Sequence, residues 1–414
     1  MLDTVFIGID VSSKTNVVHA MDNNGDKVFG DEFPNSRNGT TEMLATILAK
    51  QDCKDKHLCF GLEATGRYGD HLAMFLREIP MLKKVSSSVF VLNPKQVKKF
   101  RDSFSDIPKT DFTDAFVIAD SLRFGRIGMK GSVMEDKYLA LQSLTRWRFQ
   151  TAKDLTREKN RYLQNLFLKF STFAQIQSGS QGVFSDTFGT TALQLIEDFE
   201  SVDEIAYCPL EELIDFLIER SKNHFKEPEE MAKELQKAAR SSYRLPKTVN
   251  NSINQVMAMQ INTIRFLEKQ LKETDKYVEK QMTAIPCTLT SIPGIGPVYA
   301  AGLISEIGDV KRFKNDAALA KYAGLTWKKH ESGDFKADHT PLIQGGNKFL
   351  KYYFCQAANM VRLHDPDYSR FYQSKLRECK SSPHKRALVL TARKLVRLVY
   401  ALLRDQRLYK IQTK

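Results

Sequence analysis

Thr4-Val5-Phe6-Ile7-Gly8-Ile9-Asp10 is a short apolar run that ends abruptly on a carboxylate. A run this short, bounded by polar residues, predicts a buried strand of an α/β sheet. The pattern recurs at His57-Leu58-Cys59-Phe60-Gly61-Leu62-Glu63, again closing on an acid. After the first run, residues 11–14 turn the chain and residues 16–21 return as a second strand. Asn23-Asn24-Gly25-Asp26 is a hairpin signal, with a third strand around Lys27–Phe33. Helices over 39–50 and 68–78, a strand over 89–92 and a basic helix over 94–100 continue the alternation. The expected architecture is a mixed sheet that opens with an antiparallel meander and carries helices on its faces.

Sites in open α/β sheets form at the carboxyl ends of strands, where Asp10 and Glu63 both fall. Lys109-Thr110-Asp111-Phe112-Thr113-Asp114 opens the next helix, with two acids three residues apart on one face. Alone, that pair is ordinary helix-start chemistry. Four acids converging from three elements instead suit two divalent ions on a phosphodiester. Hard oxygen ligands select Mg²⁺ or Mn²⁺. His19, in mid-strand, and Asp120, about 240° round the helix from Asp114, read as structural.

The chain of 414 residues carries a net charge of +13. Residues 284–414 hold 23 Lys and Arg against 10 Asp and Glu, so the whole excess lies in the last third. A surplus confined to one segment is the footprint of a polyanion-binding domain. The six cysteines form no CxxC pair and read as free thiols of a reducing compartment. No leader and no apolar stretch long enough for a membrane span is evident, so a cytoplasmic protein, nucleoid-associated when acting, is expected.

Three segments follow: a catalytic α/β domain over 1–130, a helical region over 131–283 and a basic domain over 284–414. In the middle, long helices over 137–170 and 249–282 flank an insert. On the second, Ile253, Met257, Ile264, Leu267, Leu271 and Val278 keep an a/d spacing interrupted by Gln260 and Thr274. A helical hairpin on its own domain and a self-associating coiled-coil arm both fit, and the arm is favoured.

The basic segment opens with Leu289-Thr290-Ser291-Ile292-Pro293-Gly294-Ile295-Gly296-Pro297-Val298. This matches a helix-hairpin-helix turn, in which Gly294 and Gly296 would let backbone amides approach phosphate. Ala323-Gly324-Leu325-Thr326-Trp327-Lys328-Lys329-His330-Glu331-Ser332-Gly333 follows, then Gly345-Gly346-Asn347-Lys348-Phe349-Leu350-Lys351. Serine before glycine is usually only a turn. Lys328, Lys329, Lys348 and Lys351, with Arg393, Lys394 and Arg397 on the last helix, are the candidate nucleic-acid contacts.

Together these motifs resemble the DEDD transposases of the IS110-type insertion-sequence family, which are bridge-RNA-guided recombinases. The resemblance rests on Gly8-Ile9-Asp10-Val11-Ser12, Leu62-Glu63-Ala64-Thr65-Gly66, Lys109-Thr110-Asp111-x-x-Asp114-Ala115 and the Ser-Gly and Gly-Asn motifs. It implies a RuvC-like (RNase H-fold) domain, a coiled-coil arm and a mostly helical transposase domain with a helix-hairpin-helix. It assigns Asp10, Glu63, Asp111 and Asp114 to a metal-binding tetrad and makes Ser332 the nucleophile. It further implies donor and target DNA, a noncoding bridge RNA and a dimer assembling to a tetramer with composite sites. Among the departures from the family pattern Ser-Lys-x-Gly-Asn-x-x-Leu-Arg, Gln344 replaces the lysine and Lys351 the arginine, which removes a bidentate fork. Two rival readings are a metal-dependent Holliday-junction resolvase or nuclease using water, and a non-catalytic nucleic-acid-binding protein.

Overall fold

The computed structural model describes residues 3–64, 66–104, 107–125, 134–176, 183–184, 186–328, 341–343, 345–379 and 381–410, with the backbone of 331–332 and 335–336. The chain divides into two compact units, Met1–Asp136 with Gly308–Ala318, and Lys137–Ile307 with Leu319–Lys414. The domain boundary expected near residue 130 lies outside the described residues.

In the first unit, β1 (Thr4–Val11), β2 (Thr15–Met21), β3 (Lys27–Pro34), β4 (His57–Glu63) and β5 (Ser87–Leu92) form one sheet in the order β3-β2-β1-β4-β5. The meander is antiparallel, whereas β4 runs parallel to β1 and β5 parallel to β4. The helices are α1 (Arg37–Ala49), α2 (Tyr68–Glu78), the short α3 (Pro80–Lys83), α4 (Pro94–Arg101) and α5 (Asp111–Arg123).

Strand alternation sorts β1 between two cores. Val5, Ile7 and Ile9 are fully buried in one cluster with Met43, Leu44 and Ile47 of α1 and Leu72, Ala73 and Leu76 of α2. Gly8 and Asp10 therefore point to the opposite face, where α5 lies. A Cβ on Gly8 would stand 2.1 Å from the Ala115 carbonyl oxygen and 2.4 Å from the Ala119 nitrogen. Only glycine lets the helix settle directly on the strand. Val117 and Ile118 of α5 join Val97 of α4 and Leu92 of β5 in a second core. His19 packs edge-on against Phe116, and buried Asp120 is paired 2.7 Å from Arg123, so both are structural.

The second unit is helical: α6 (Asp136–Lys169), α7 (Thr190–Asp198), α8 (Val202–Tyr207), α9 (Leu210–Ser221), α10 (Pro228–Ser241), α11 (Lys247–Met282) and α12 (Pro297–Ile307), then the end of α13 (Asp316–Tyr322), α14 (Lys348–His364), α15 (Pro366–Glu378) and α16 (Pro383–Asp405). Helices α6 and α11 pair through Asn165–Gln260 at 3.0 Å and Lys159–Glu268 at 2.7 Å, and Arg148 forks onto Asp275. The helices between them fold back onto the pair and share one core, from Tyr162 and Leu166 to Met257, Ile261 and Ile264. The seam differs in detail from the a/d expectation. Ile261 is fully buried while Leu267 and Leu271 are half-buried, and the polar Gln260 and Thr274 lie inside. Gln260 tolerates burial because it accepts from Asn165. Among the described residues no helix is long and apolar enough to cross a membrane.

Candidate active site and hairpin

The acids of the first unit are placed by glycines two residues earlier. Gly8 and Asp10 share a face of β1, and Gly61 and Glu63 share the matching face of parallel β4, in register Gly8↔Gly61. A Cβ on Gly61 would strike Leu122 of α5 at 2.6 Å, so the same helix covers both strands. The cap of α5 is Thr110, whose hydroxyl accepts from the Thr113 amide at 3.2 Å. Asp111 and Asp114 are thus not the cap: they stand in the first turn, beside the strand ends.

Electrostatics shows that the four acids share one neighbourhood. Burial first, then the charges of Asp114, Asp111 and Glu63, push the Asp10 carboxyl up to about 6. Burial also raises Glu63, opposed by the Arg101 guanidinium and helped by Asp114. Arg101, the last residue of α4, stands 3.1 Å from Asp114 Oδ1, a buried oxygen that accepts no hydrogen bond among the described residues. The donor set, four carboxylates with one such oxygen, fits a hard divalent cation. As the side chains stand, no described group of three His, Cys, Asp or Glu is close enough to hold one. The positive charge beside Asp114 belongs to Arg101 instead.

In the second unit, Ser332 lies on a hairpin that the sequence reading did not foresee. Thr326 accepts from the Ile343 amide at 2.9 Å, Lys328 donates to the Pro341 carbonyl at 2.9 Å, and Trp327 bridges to Leu342. Farther out, strands β6 (Glu331–Ser332) and β7 (Phe335–Lys336) pair antiparallel, with Ser332 opposite Phe335. The glycine motifs clasp the root. Gly324 and Gly346 both have positive φ, and a Cβ on Gly346 would stand 2.5 Å from the Gly324 nitrogen. Next to them Asn347 caps α14, accepting from the Phe349 and Leu350 amides. Its own amide donates to the Tyr322 carbonyl at 2.7 Å, and its Nδ2 donates to Glu306 at 2.7 Å. Glu306 is fully buried and held by the Arg146 fork at 2.7 and 3.0 Å. Asn347, Glu306 and Arg146 thus anchor the hairpin root to α12 and α6.

Two models of one transposase family match the chain, and they cover both regions. The model described as "Transposase" for IS110-type DEDD proteins matches residues 7–170, which contain all four acids. The model described as "Transposase IS116/IS110/IS902 family" matches residues 287–373, from the Gly294 turn through the hairpin to α15.

The chain belongs to the IS110 family of transposases.

Its relatives agree. It is 23% identical to a 44.8 kDa protein of insertion element IS116 from Streptomyces clavuligerus, over 98% of this chain and 96% of that one. It is 24% identical to a 43.6 kDa protein of insertion element IS110 from Streptomyces coelicolor, over 99% and 97%. A pilin gene-inverting protein of Moraxella bovis is 32% identical over 29% of this chain and 37% of its own. As a member of the family the chain is a DNA transposase or recombinase, and a DEDD family suggests dependence on a divalent metal.

The other expected contacts of this transposase divide. A Cβ on Gly294 would stand 2.8 Å from the Met360 backbone, so that glycine is accounted for by packing on α14, whereas Gly296 faces open space. The element before this turn is a single 3₁₀ turn, Thr288–Ser291, in place of a full helix. Lys348 is exposed and Lys351 half-buried. Lys394 lies over the Tyr368 and Phe371 rings at 4.6 and 4.8 Å, so its cation serves the fold. Arg393 is half-buried and Arg397 exposed. Lys329 and Gln344 lie outside the described residues, as does the side chain of Ser332. Arg101, Arg146 and Glu306 carried no motif and were missed. The one available signal was the basic run of α4.

Proposed function

We propose that this transposase cuts and rejoins DNA with Ser332 as nucleophile and with Asp10, Glu63, Asp111 and Asp114 holding divalent metal. The observation that carries the reading is the mutual influence of the four acids, which together with burial drives Asp10 to about 6. Carboxylates that repel one another in a half-buried pocket are relieved by taking up a proton or by a cation among them. Mg²⁺ or Mn²⁺ bound there would polarise the phosphodiester and offset charge on the attacking and leaving oxygens.

The chain's own part is to present Ser332 and conserve the bond energy. The Ser332 hydroxyl gives up its proton as its oxygen bonds to phosphorus, and the DNA strand leaves as a free hydroxyl. The resulting phosphoserine is reopened by the hydroxyl of the strand to be joined, and Ser332 recovers its proton. A hairpin clasped at its root by Gly324, Gly346 and Asn347 supports this role by holding the base from which Ser332 would be presented.

The resemblance adds finer features to the proposal. Residues 1–130 form the RuvC-like catalytic domain, 131–283 the self-associating helical region and 284–414 the basic transposase domain. A noncoding bridge RNA pairs with donor and target DNA. A dimer assembles to a tetramer in the cytoplasm, joining the acids of one protomer to the serine of another. The exposed Gly296 turn, where an added Cβ would meet open space, and exposed Lys348 and Arg397 suit backbone phosphate contacts.

Ser332→Ala tests the chemistry. The variant is expected to bind DNA and metal normally and to cut nothing. Metal-dependent cleavage persisting in it would transfer the reading to a nuclease that uses water.

A further inference from the structure

The Arg101 guanidinium stands where the tetrad needs a cation. It is 3.1 Å from Asp114 Oδ1, with both side chains largely buried at 23% and 18% exposure. Among the described residues its buried Nε finds no hydrogen-bond partner, and the Asp114 oxygen accepts none either. A settled arginine–carboxylate pair is bidentate and satisfied. This one is neither.

Arg101 also ends a helix whose exposed side chains are mostly basic. Helix α4 carries exposed Lys95, Lys98 and Lys99, which form no ion pair among the described residues. A nucleic-acid backbone lying along α4 would bring phosphate oxygens to the same end of the helix.

We propose that Arg101 is a two-position side chain: it is the internal counter-ion of Asp114 in the metal-free protein, is displaced when metal enters, and then binds a phosphate of the DNA. A divalent cation on the same carboxylate repels the guanidinium and competes with it for the Asp114 oxygen. Displacement leaves a planar fork free beside the scissile region, a geometry matched to phosphate. The latch offsets part of the negative charge of the empty site and couples metal loading to DNA engagement. This inference rests on the reading of the acids as the metal site.

The test is Mn²⁺ binding to the full chain by electron paramagnetic resonance, with Asp10→Asn to identify binding at the acids. Arg101→Gln is expected to bind Mn²⁺ about tenfold more tightly than wild type, the effect of removing roughly one unit of opposing charge interaction. Arg101→Lys, which keeps the charge, stays near wild type. In fluorescence anisotropy with a short duplex, Mn²⁺ is expected to steepen the salt dependence of DNA binding more in wild type than in Arg101→Gln, by about 0.9 for one phosphate. Cooperative melting of each variant verifies folding. If wild type shows Asp10-dependent binding but Arg101→Gln binds no more tightly, the latch is wrong and the metal site stands. An equal salt-slope change in the two proteins refutes the phosphate contact. If no Mn²⁺ binding depends on Asp10, the metal site fails and the latch with it.

Discussion

Gly8 of β1 lies directly beneath the Ala115 carbonyl of α5, with no room for even one carbon between them. That contact sets the height of the helix over the sheet, and so brings Asp111 and Asp114 down to Asp10. Gly8→Ala must push α5 off the strand, at a cost of about 3 kcal/mol or more. Gly296→Ala meets open space and is expected to leave stability within about 0.5 kcal/mol. Urea denaturation of the two variants measures the contrast. Equal stability would mean that the helix does not rest on Gly8.

The Asp10 carboxyl makes the metal-free fold sensitive to pH. Its pKa is raised from 3.8 unfolded to about 6 in the fold, so the native state holds the proton more tightly. Ionising it therefore destabilises the protein as pH rises from about 4 through about 6. Asp10→Asn removes that cost. In chelator at pH 8 the variant is expected to melt a few degrees above wild type, roughly the effect of one or two kcal/mol. The gain should vanish by pH 4. A gain independent of pH would assign the effect to something other than the charge.

Glu306 is a buried carboxylate whose charge partner is Arg146, with Gln142 and Asn347 as further donors. Arg146→Ala leaves the charge in place without its fork, which costs about 3 kcal/mol. Because Glu306 holds Asn347, the loss reaches the root of the Ser332 hairpin. Hydrogen exchange of the Asn347 and Ile343 amides is expected to accelerate in Arg146→Ala and to remain slow in wild type. Unchanged protection would uncouple the buried pair from the hairpin.

Lys348 is exposed at the first turn of α14 and stacks 5.0 Å from the Phe349 ring. Lys348→Glu should leave the melting temperature nearly unchanged and lower the salt slope of DNA binding by about 1. Lys394→Glu differs, because its cation lies over Tyr368 and Phe371. It is expected to lower stability as well as binding. If both variants lower stability alike, Lys348 also serves the fold.

The strands and their closing acids were legible because a two-residue period and a charged terminus survive in the sequence. Gly8-x-Asp10 and Gly61-x-Glu63 even carry the reason the acids reach α5: glycine and acid share a face, and the glycine admits the helix. The caps were less legible. Asp111 and Asp114 resemble capping residues, yet the hydroxyl of Thr110 does that work. In α11 the polar Gln260 read as an interruption of the seam, while its partner Asn165, far off in sequence, makes it part of the interior. The hairpin escaped because its rungs are few and its strands are two residues long. Arg101 escaped for another reason: an ion pair between a helix end and a helix start leaves no period and no motif.

Serine catalysis is tested most directly by mass spectrometry of the protein trapped by denaturation while it is cutting DNA in Mg²⁺. The expected product is a peptide containing Ser332 with a nucleotide remnant joined through phosphate, absent from Asp10→Asn and Ser332→Ala. Cut DNA with free phosphate ends and an unmodified Ser332 peptide would contradict it.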